Sequence, residues 1–270
     1  MSLKTNKQRG TLVTAMTKWL ASGALLAMFC SAGFAQEPDH AKPIPLNEIV
    51  DSLERAQQGA RPVTYQVIRE YRLFGAKDSK ANSQVIAEVN VKPPARGEYR
   101  IQQSSGSDRG LQVVRRLLDH EAERASQNYK ARTGLNRDNY DFNYSGEALL
   151  DGEPCYVLAL HPKRNEKELI AGQAWIDQHS FLVRRIEGEL AKSPSWWIKK
   201  VRVKLAFDDR GGAWMQTDME AVADVRIVGP HTLTSRILDY RTAHQVASIQ
   251  AISREPRSSR SVKRVGSLVF

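Results

Sequence analysis

Apolar positions along this chain recur with two different periods. From Leu46 to Gln58 they fall at steps of three and four: Leu46, Ile49, Val50, Leu53 and Ala56 make one stripe, which predicts an amphipathic helix. Gly59 and Pro62 end it. Period two then takes over. Val63, Tyr65, Val67, Tyr71 and Leu73 share one face of a strand, with Gln66, Glu70 and Arg72 opposite. Val85, Ala87, Val89 and Val91 alternate with Ile86, Glu88, Asn90 and Lys92, and Tyr99 with Ile101 predicts a third strand. Such alternation marks an antiparallel sheet with one apolar and one wet face.

Residues 108–130 interrupt the strands with a helical pattern. Asp108 is placed to cap it, Leu111, Val114, Leu117 and Leu118 form its apolar side, and the expectation is a helix covering one sheet face. Strands resume at Tyr140 and reverse at Asp151-Gly152, a strong hairpin signal. Ala171–Asp177 and Phe181–Leu190 form another hairpin around Gln178-His179. Trp197–Phe207 turns through Asp208–Gly212 into Ala213–Val222, and Val225–Val228 and Leu233–Tyr240 follow, separated by Gly229-Pro230. Ten or eleven strands in succession, with two helices and no internal repeat, exclude a parallel α/β sheet. The expected fold is mainly β (α+β): one large curved antiparallel sheet. Sheets of this size curl or close, and helices fill the hollow.

The amino terminus changes the picture. Lys4, Lys7, Arg9 and Lys18 precede the apolar run Trp19–Cys30, and Gly33 and Ala35 are small. These are the three parts of a secretory signal peptide, spanning 1–35 with cleavage after Ala35. The run is too short for a bilayer span of about 20 residues. A retained anchor is one rival; lipidation of Cys30 is another, disfavoured by Phe29 before it. Residues 36–45 then read as a flexible leader, 46–245 as the folded domain, and 246–270 as a basic disordered tail. An exported, periplasmic product of about 235 residues follows, with net charge +10 minus 4, or +6. Its single thiol, Cys155, lies in an apolar strand and reads as buried and inert.

Chemistry is sparse. HExxH, GxSxG, CxxC, P-loop and GxGxxG motifs are absent, and the six histidines show no metal-ligand spacing. No enzyme activity, metal or cofactor is expected. Asp119-His120-Glu121 reads as a solvated helix face, because neighbours on a helix splay apart. The stripe Lys200, Arg202, Lys204 reads as an outer sheet face rather than a nucleic-acid site, since it lacks interleaved aromatics. Trp196-Trp197, followed by Lys199 and Lys200, suits a membrane–water boundary or the rim of an apolar pocket; the plainer reading is one ring in the core and the other covering a sheet edge.

In its order and texture the chain resembles the superfamily of periplasmic outer-membrane lipoprotein-sorting proteins, which includes the lipoprotein carrier and the amino-terminal domain of RseB. The resemblance spans about residues 44–242 and rests on the helix leading into a long strand, the helical insertion, and the series GEALLDGEPCYVLALHPKR, AWIDQHSFLVRRIEGE and VRVKLAFDD. It implies a half-open barrel of about eleven strands with helices as a lid over an apolar cavity for acyl chains. It brings no invariant chemical motif, and no functional arginine is carried over. The function so implied is a carrier or sensor of lipid or lipoprotein acyl chains, a monomer working with a membrane transporter or outer-membrane partner. A protein-interaction module in envelope-stress signalling is the alternative. The expected ligand-binding residues are Tyr65, Val67, Tyr71, Val89, Leu158, Ile176, Trp197, Val203 and Leu205.

Overall fold

The computed structural model describes residues 44–242, apart from 60–62, 79, 94–96 and 124–130. The signal peptide, most of the leader and the basic tail expected from the sequence lie outside the described residues. Helix α1 (Leu46–Gly59) leads into β1 (Tyr65–Phe74), β2 (Ser83–Val91) and β3 (Glu98–Gly106). Helix α2 (Asp108–Glu123) follows, then β4 (Tyr140–Leu150), β5 (Glu153–Pro162), β6 (Ile170–Asp177), β7 (Val183–Leu190), β8 (Ile198–Arg210), β9 (Ala213–Val225) and β10 (Gly229–Thr242).

The ten strands form one antiparallel sheet in the order β3-β2-β1-β10-β9-β8-β7-β6-β5-β4. Every neighbour is a sequence neighbour except β1 and β10, which pair from Tyr65↔Thr242 to Phe74↔Thr232 and join the first three strands to the seven-strand meander. Strands β3 and β4 are free edges, so the sheet is not closed.

Curvature has local causes. Register irregularities interrupt the β1/β10, β2/β3, β4/β5, β6/β7 and β8/β9 pairings, and an extra residue in a strand bends it and increases its twist. Gly172 and Gly188 stand opposite each other on β6 and β7. A Cβ on Gly172 would lie 2.1 Å from the Glu187 carbonyl oxygen, and one on Gly188 2.3 Å from that of Ala171. Only glycine permits this approach.

The Asp151-Gly152 turn has positive φ at both residues, as a two-residue hairpin of this type requires. Two details differ from the sequence reading. Ser107, not Asp108, caps α2, its Oγ accepting the Gly110 N–H at 3.1 Å; Ser107 lies just before the helix, whereas Asp108 is already its first residue. Residues 226–228 are a turn, and Gly229-Pro230 begins β10 rather than breaking it. Proline is tolerated at a strand start, where its missing N–H costs little.

Two apolar clusters result. Ile49, Val50 and Leu53 of α1 pack on Leu158, Leu160, Ala174, Ile176 and Leu205 of the meander. Val114 and Leu118 of α2 pack on Val67, Tyr71, Val85, Ala87 and Val89 of the first three strands. At roughly 1.5–3 kcal/mol per fully buried large side chain, each helix is held mainly by these contacts.

Candidate ligand cavity and its latch

The two helices cover the two ends of the sheet's apolar face and leave its middle uncovered. A cavity of about 260 Å³ lies there. Its floor is the alternating inward side chains of the central strands: Val201, Val203 and Leu205 from β8, Met219 and Ala221 from β9, Leu233 and Ser235 from β10, and Tyr71 from β1. Leu117, His120 and Glu121 of α2 wall one side. Ile170, Leu190 and Pro194 wall the other. The lining is predominantly apolar. Its volume falls just below the roughly 300–1,000 Å³ usual for ligand sites.

The lining is polar at Lys167 and Glu168, beside Ile170, and at Tyr71, Glu121, Gln216 and Ser235, of which Glu121, Gln216 and Ser235 meet Arg69 just behind the cavity surface. Continuing the alternation of β1, Arg69 faces inward between Val67 and Tyr71 and is 3 % exposed. Its Nε pairs with the Glu121 carboxylate at 2.8 Å. Its Nη2 donates to the Gln216 carbonyl and its Nη1 to Ser235 Oγ at 3.5 Å. The Tyr71 hydroxyl donates to the other Glu121 oxygen at 2.5 Å. Burial pushes the Tyr71 phenol up, the adjacent Glu121 carboxylate adds to this and Arg69 opposes it, so Tyr71 stays a donor. A carboxylate on α2 is thus clasped by an arginine and a tyrosine on one strand, in a site where both charges are shielded from water.

Glu121 therefore departs from the solvated helix face expected for Asp119-His120-Glu121. The three do splay apart as expected, but on this helix that turns Glu121 toward the sheet, while Asp119 accepts a hydrogen bond from Tyr99 at 3.1 Å and His120 stays exposed. Arg69 escaped the sequence reading altogether. The signal was present: an arginine at the inward parity of a strand whose other inward residues are apolar, a position where a charge needs a partner.

Among the expected ligand-binding residues, Tyr71, Val203 and Leu205 line the cavity. Val67 and Val89 are buried under α2, and Leu158 and Ile176 are fully buried under α1. Tyr65 lies at the margin of the α2 cluster, its ring 6.0 Å from that of Tyr240. Trp197 sits in the exposed turn before β8, outside the cavity lining. The periodicity placed all the strand residues on the apolar face but could not say which the helices would cover.

Elsewhere the polar groups have structural tasks. Asp177 accepts hydrogen bonds from the His179 and Ser180 N–H groups and from Ser180 Oγ, and pairs with Arg184 Nε at 2.5 Å. Burial opposes its charge, yet the Ser180, Arg184 and His179 donors bring its pKa down to about 2. Burial pushes the Cys155 thiol up, which keeps it protonated and unreactive. On the outer face, Lys200 and Lys204 meet Glu189 and Glu187 at 3.7 and 3.3 Å. Among the described residues, no group of three or more His, Cys, Asp or Glu side chains could hold a metal ion, and no helix is long and apolar enough to cross a membrane.

No protein-family profile matches the sequence, and no curated protein matches it. Solved structures do. An outer membrane lipoprotein-sorting protein domain from Vibrio parahaemolyticus is similar at 11% identity over 73% of this chain and 93% of that one, with a TM-score of 0.44. A LolA superfamily protein from Nitrosomonas europaea is similar at 15% identity over 72% and 93%, with a TM-score of 0.42. A chain of the MucA/MucB complex of Pseudomonas aeruginosa is similar at 13% identity over 72% and 99%, with a TM-score of 0.23.

Proposed function

We propose that this protein is a non-enzymatic periplasmic carrier or sensor that takes an acyl chain of a lipid or lipoprotein into the cavity between its two apolar clusters. The observation that carries this reading is the incompletely covered middle of the apolar face: inward side chains of β8, β9 and β10, among them Val203, Met219, Ala221 and Leu233, border the cavity and stay only partly buried. Each methylene buried there contributes about 0.8 kcal/mol. The present volume holds part of a chain, and a longer one enters as α2 lifts. The Arg69–Glu121–Tyr71 contact is the polar latch that such a movement breaks, and it re-forms when the cavity empties. Export rests on the basic, apolar and small-residue segments of the first 35 residues. A membrane transporter or outer-membrane protein would supply or accept the cargo, and the protein would act as a monomer.

Lipid extraction and mass spectrometry of the purified protein, together with titration by an apolar fluorescent probe, tests this. Co-purifying acyl lipids and a saturable site for the probe are expected. An absence of both would end the reading. Recovery of an inner-membrane protein partner with the cavity empty would favour a regulatory interaction module instead.

A further inference from the structure

The turn 191–197 between β7 and β8 and the turn 226–228 between β9 and β10 lie side by side at one end of the sheet. Arg226 ties them: its N–H donates to the Trp197 carbonyl at 2.8 Å and its Nε to the Trp196 carbonyl at 2.9 Å. The β1–β2 turn is adjacent, since a Cβ on Gly229 would lie 3.3 Å from Ala76 Cβ. At the tips stand Trp196, 85 % exposed, Ile227, fully exposed, and the half-exposed Trp197 and Val228. Isolated exposed hydrophobics are ordinary; four of them on two tied turns are not.

Ile227 is the telling one. Its φ is +77°, a left-handed conformation that a β-branched residue adopts only under strain, at a turn position that suits Gly or Asn. The fold gains no packing from it. A residue that strains the backbone and buries nothing points to a partner outside the chain.

Charge narrows the partner. Residues 75–82, 191–200 and 224–229 carry Lys77, Lys80, Lys192, Lys199, Lys200 and Arg226 against Asp78 and Asp224 only. Lys200 reaches back to Glu189 at 3.7 Å. A second copy of this surface, or the basic tail, would set cation against cation. Protruding indole and aliphatic tips ringed by lysines match the headgroup boundary of a bilayer, where tryptophan sits at the interface and lysines meet lipid phosphates.

We infer that this end of the sheet docks on an anionic phospholipid surface, inserting Trp196, Ile227 and Val228 at headgroup depth. Pro194 belongs to the same β7–β8 turn and lines the cavity. Docking there therefore brings the cavity wall to the bilayer, where acyl chains enter or leave.

Purified protein is tested by flotation with vesicles of phosphatidylcholine alone and of phosphatidylcholine mixed with phosphatidylglycerol. Binding to the anionic vesicles that weakens with salt, with a blue shift of tryptophan emission, is expected. The pair Trp196→Ser with Ile227→Ser, and separately Lys192→Glu with Lys199→Glu, should each lower partitioning about tenfold or more. Apolar-probe uptake by the cavity stays unchanged in both, which separates this result from the fate of the carrier reading and shows that the variants are folded. No binding to anionic vesicles, or equal binding by the Trp196/Ile227 variant, overturns the inference. So does self-association that the same variant abolishes without any vesicle binding.

Discussion

Glu121 of α2 lies 2.8 Å from Arg69 of β1, and this ion pair fastens the lid helix to the floor of the sheet. It differs in kind from the surface pairs of this protein. Arg69 is almost wholly buried and Glu121 is mostly so, whereas Arg100–Glu88 and Lys204–Glu187 each expose at least one long side chain to water. Exposed pairs contribute about 0–1 kcal/mol. Removing one partner of a buried pair costs about 3–5 kcal/mol, because the remaining charge is stranded.

Glu121→Gln should accordingly lower stability in denaturant unfolding by about 3 kcal/mol. It should also raise the rate of apolar-probe uptake under native conditions, because the lid is released. Tyr71→Phe removes one donor and leaves the ion pair, so its cost should be nearer 1 kcal/mol. A Glu121→Gln protein with unaltered uptake would show that α2 does not gate the cavity.

Filling the cavity tests occupancy without touching the latch. Ala221→Phe places a ring where the β9 floor is now lined by a methyl group. Overpacking a well-filled core costs about 1–3 kcal/mol; at the edge of a vacant space the loss should be at the low end, while probe affinity falls about tenfold, as expected when two methylenes of contact are denied. Probe titration beside thermal unfolding of the same variant separates the two effects.

The Asp177 turn gives a pH signature. Its pKa in the folded protein is about 2, below its ordinary 3.8, so the folded state favours the carboxylate. The stabilisation is complete above the ordinary value and disappears as pH falls through the folded one, between about pH 4 and pH 2, and amounts to about 2 kcal/mol. Asp177→Asn should remove that much stability at neutral pH and flatten the acid limb of the curve. An unchanged acid limb in urea unfolding from pH 5 to acid would contradict this assignment.

The Gly172–Gly188 pair predicts a severe backbone effect. Gly172→Ala drives a methyl group into the β7 backbone, and its cost should exceed about 2 kcal/mol. Gly59→Ala meets open space and should be neutral by comparison. Circular dichroism melts of the two variants check the contrast.

Much of this architecture was legible in the chain because strand pairing is almost entirely local. Eight of the nine strand pairings join strands adjacent in sequence, and the alternation of Val85–Val91 or Val201–Leu205 states its face directly. The β1–β10 pairing, which unites residues some 170 positions apart, has no such local signature. The half-covered face posed the same difficulty. Leu158, between Val157 and Ala159, and Val203, between Arg202 and Lys204, both hold inward strand positions, yet α1 buries the first completely and leaves the second beside the cavity.

The sequence by itself determined which side chains face inward, where the hairpins turn and which segments are helical, since periodicity and turn chemistry act over a few residues. Only the tertiary structure decided where the helices lie on that face, and so which inward residues border a vacancy. It also decided that Arg69 and Glu121, separated by strands β2 and β3 in the chain, become partners. The physical reason is that a buried charge is tolerated only at a site where an opposite charge arrives from elsewhere, and that arrival is a property of the packed molecule rather than of any segment.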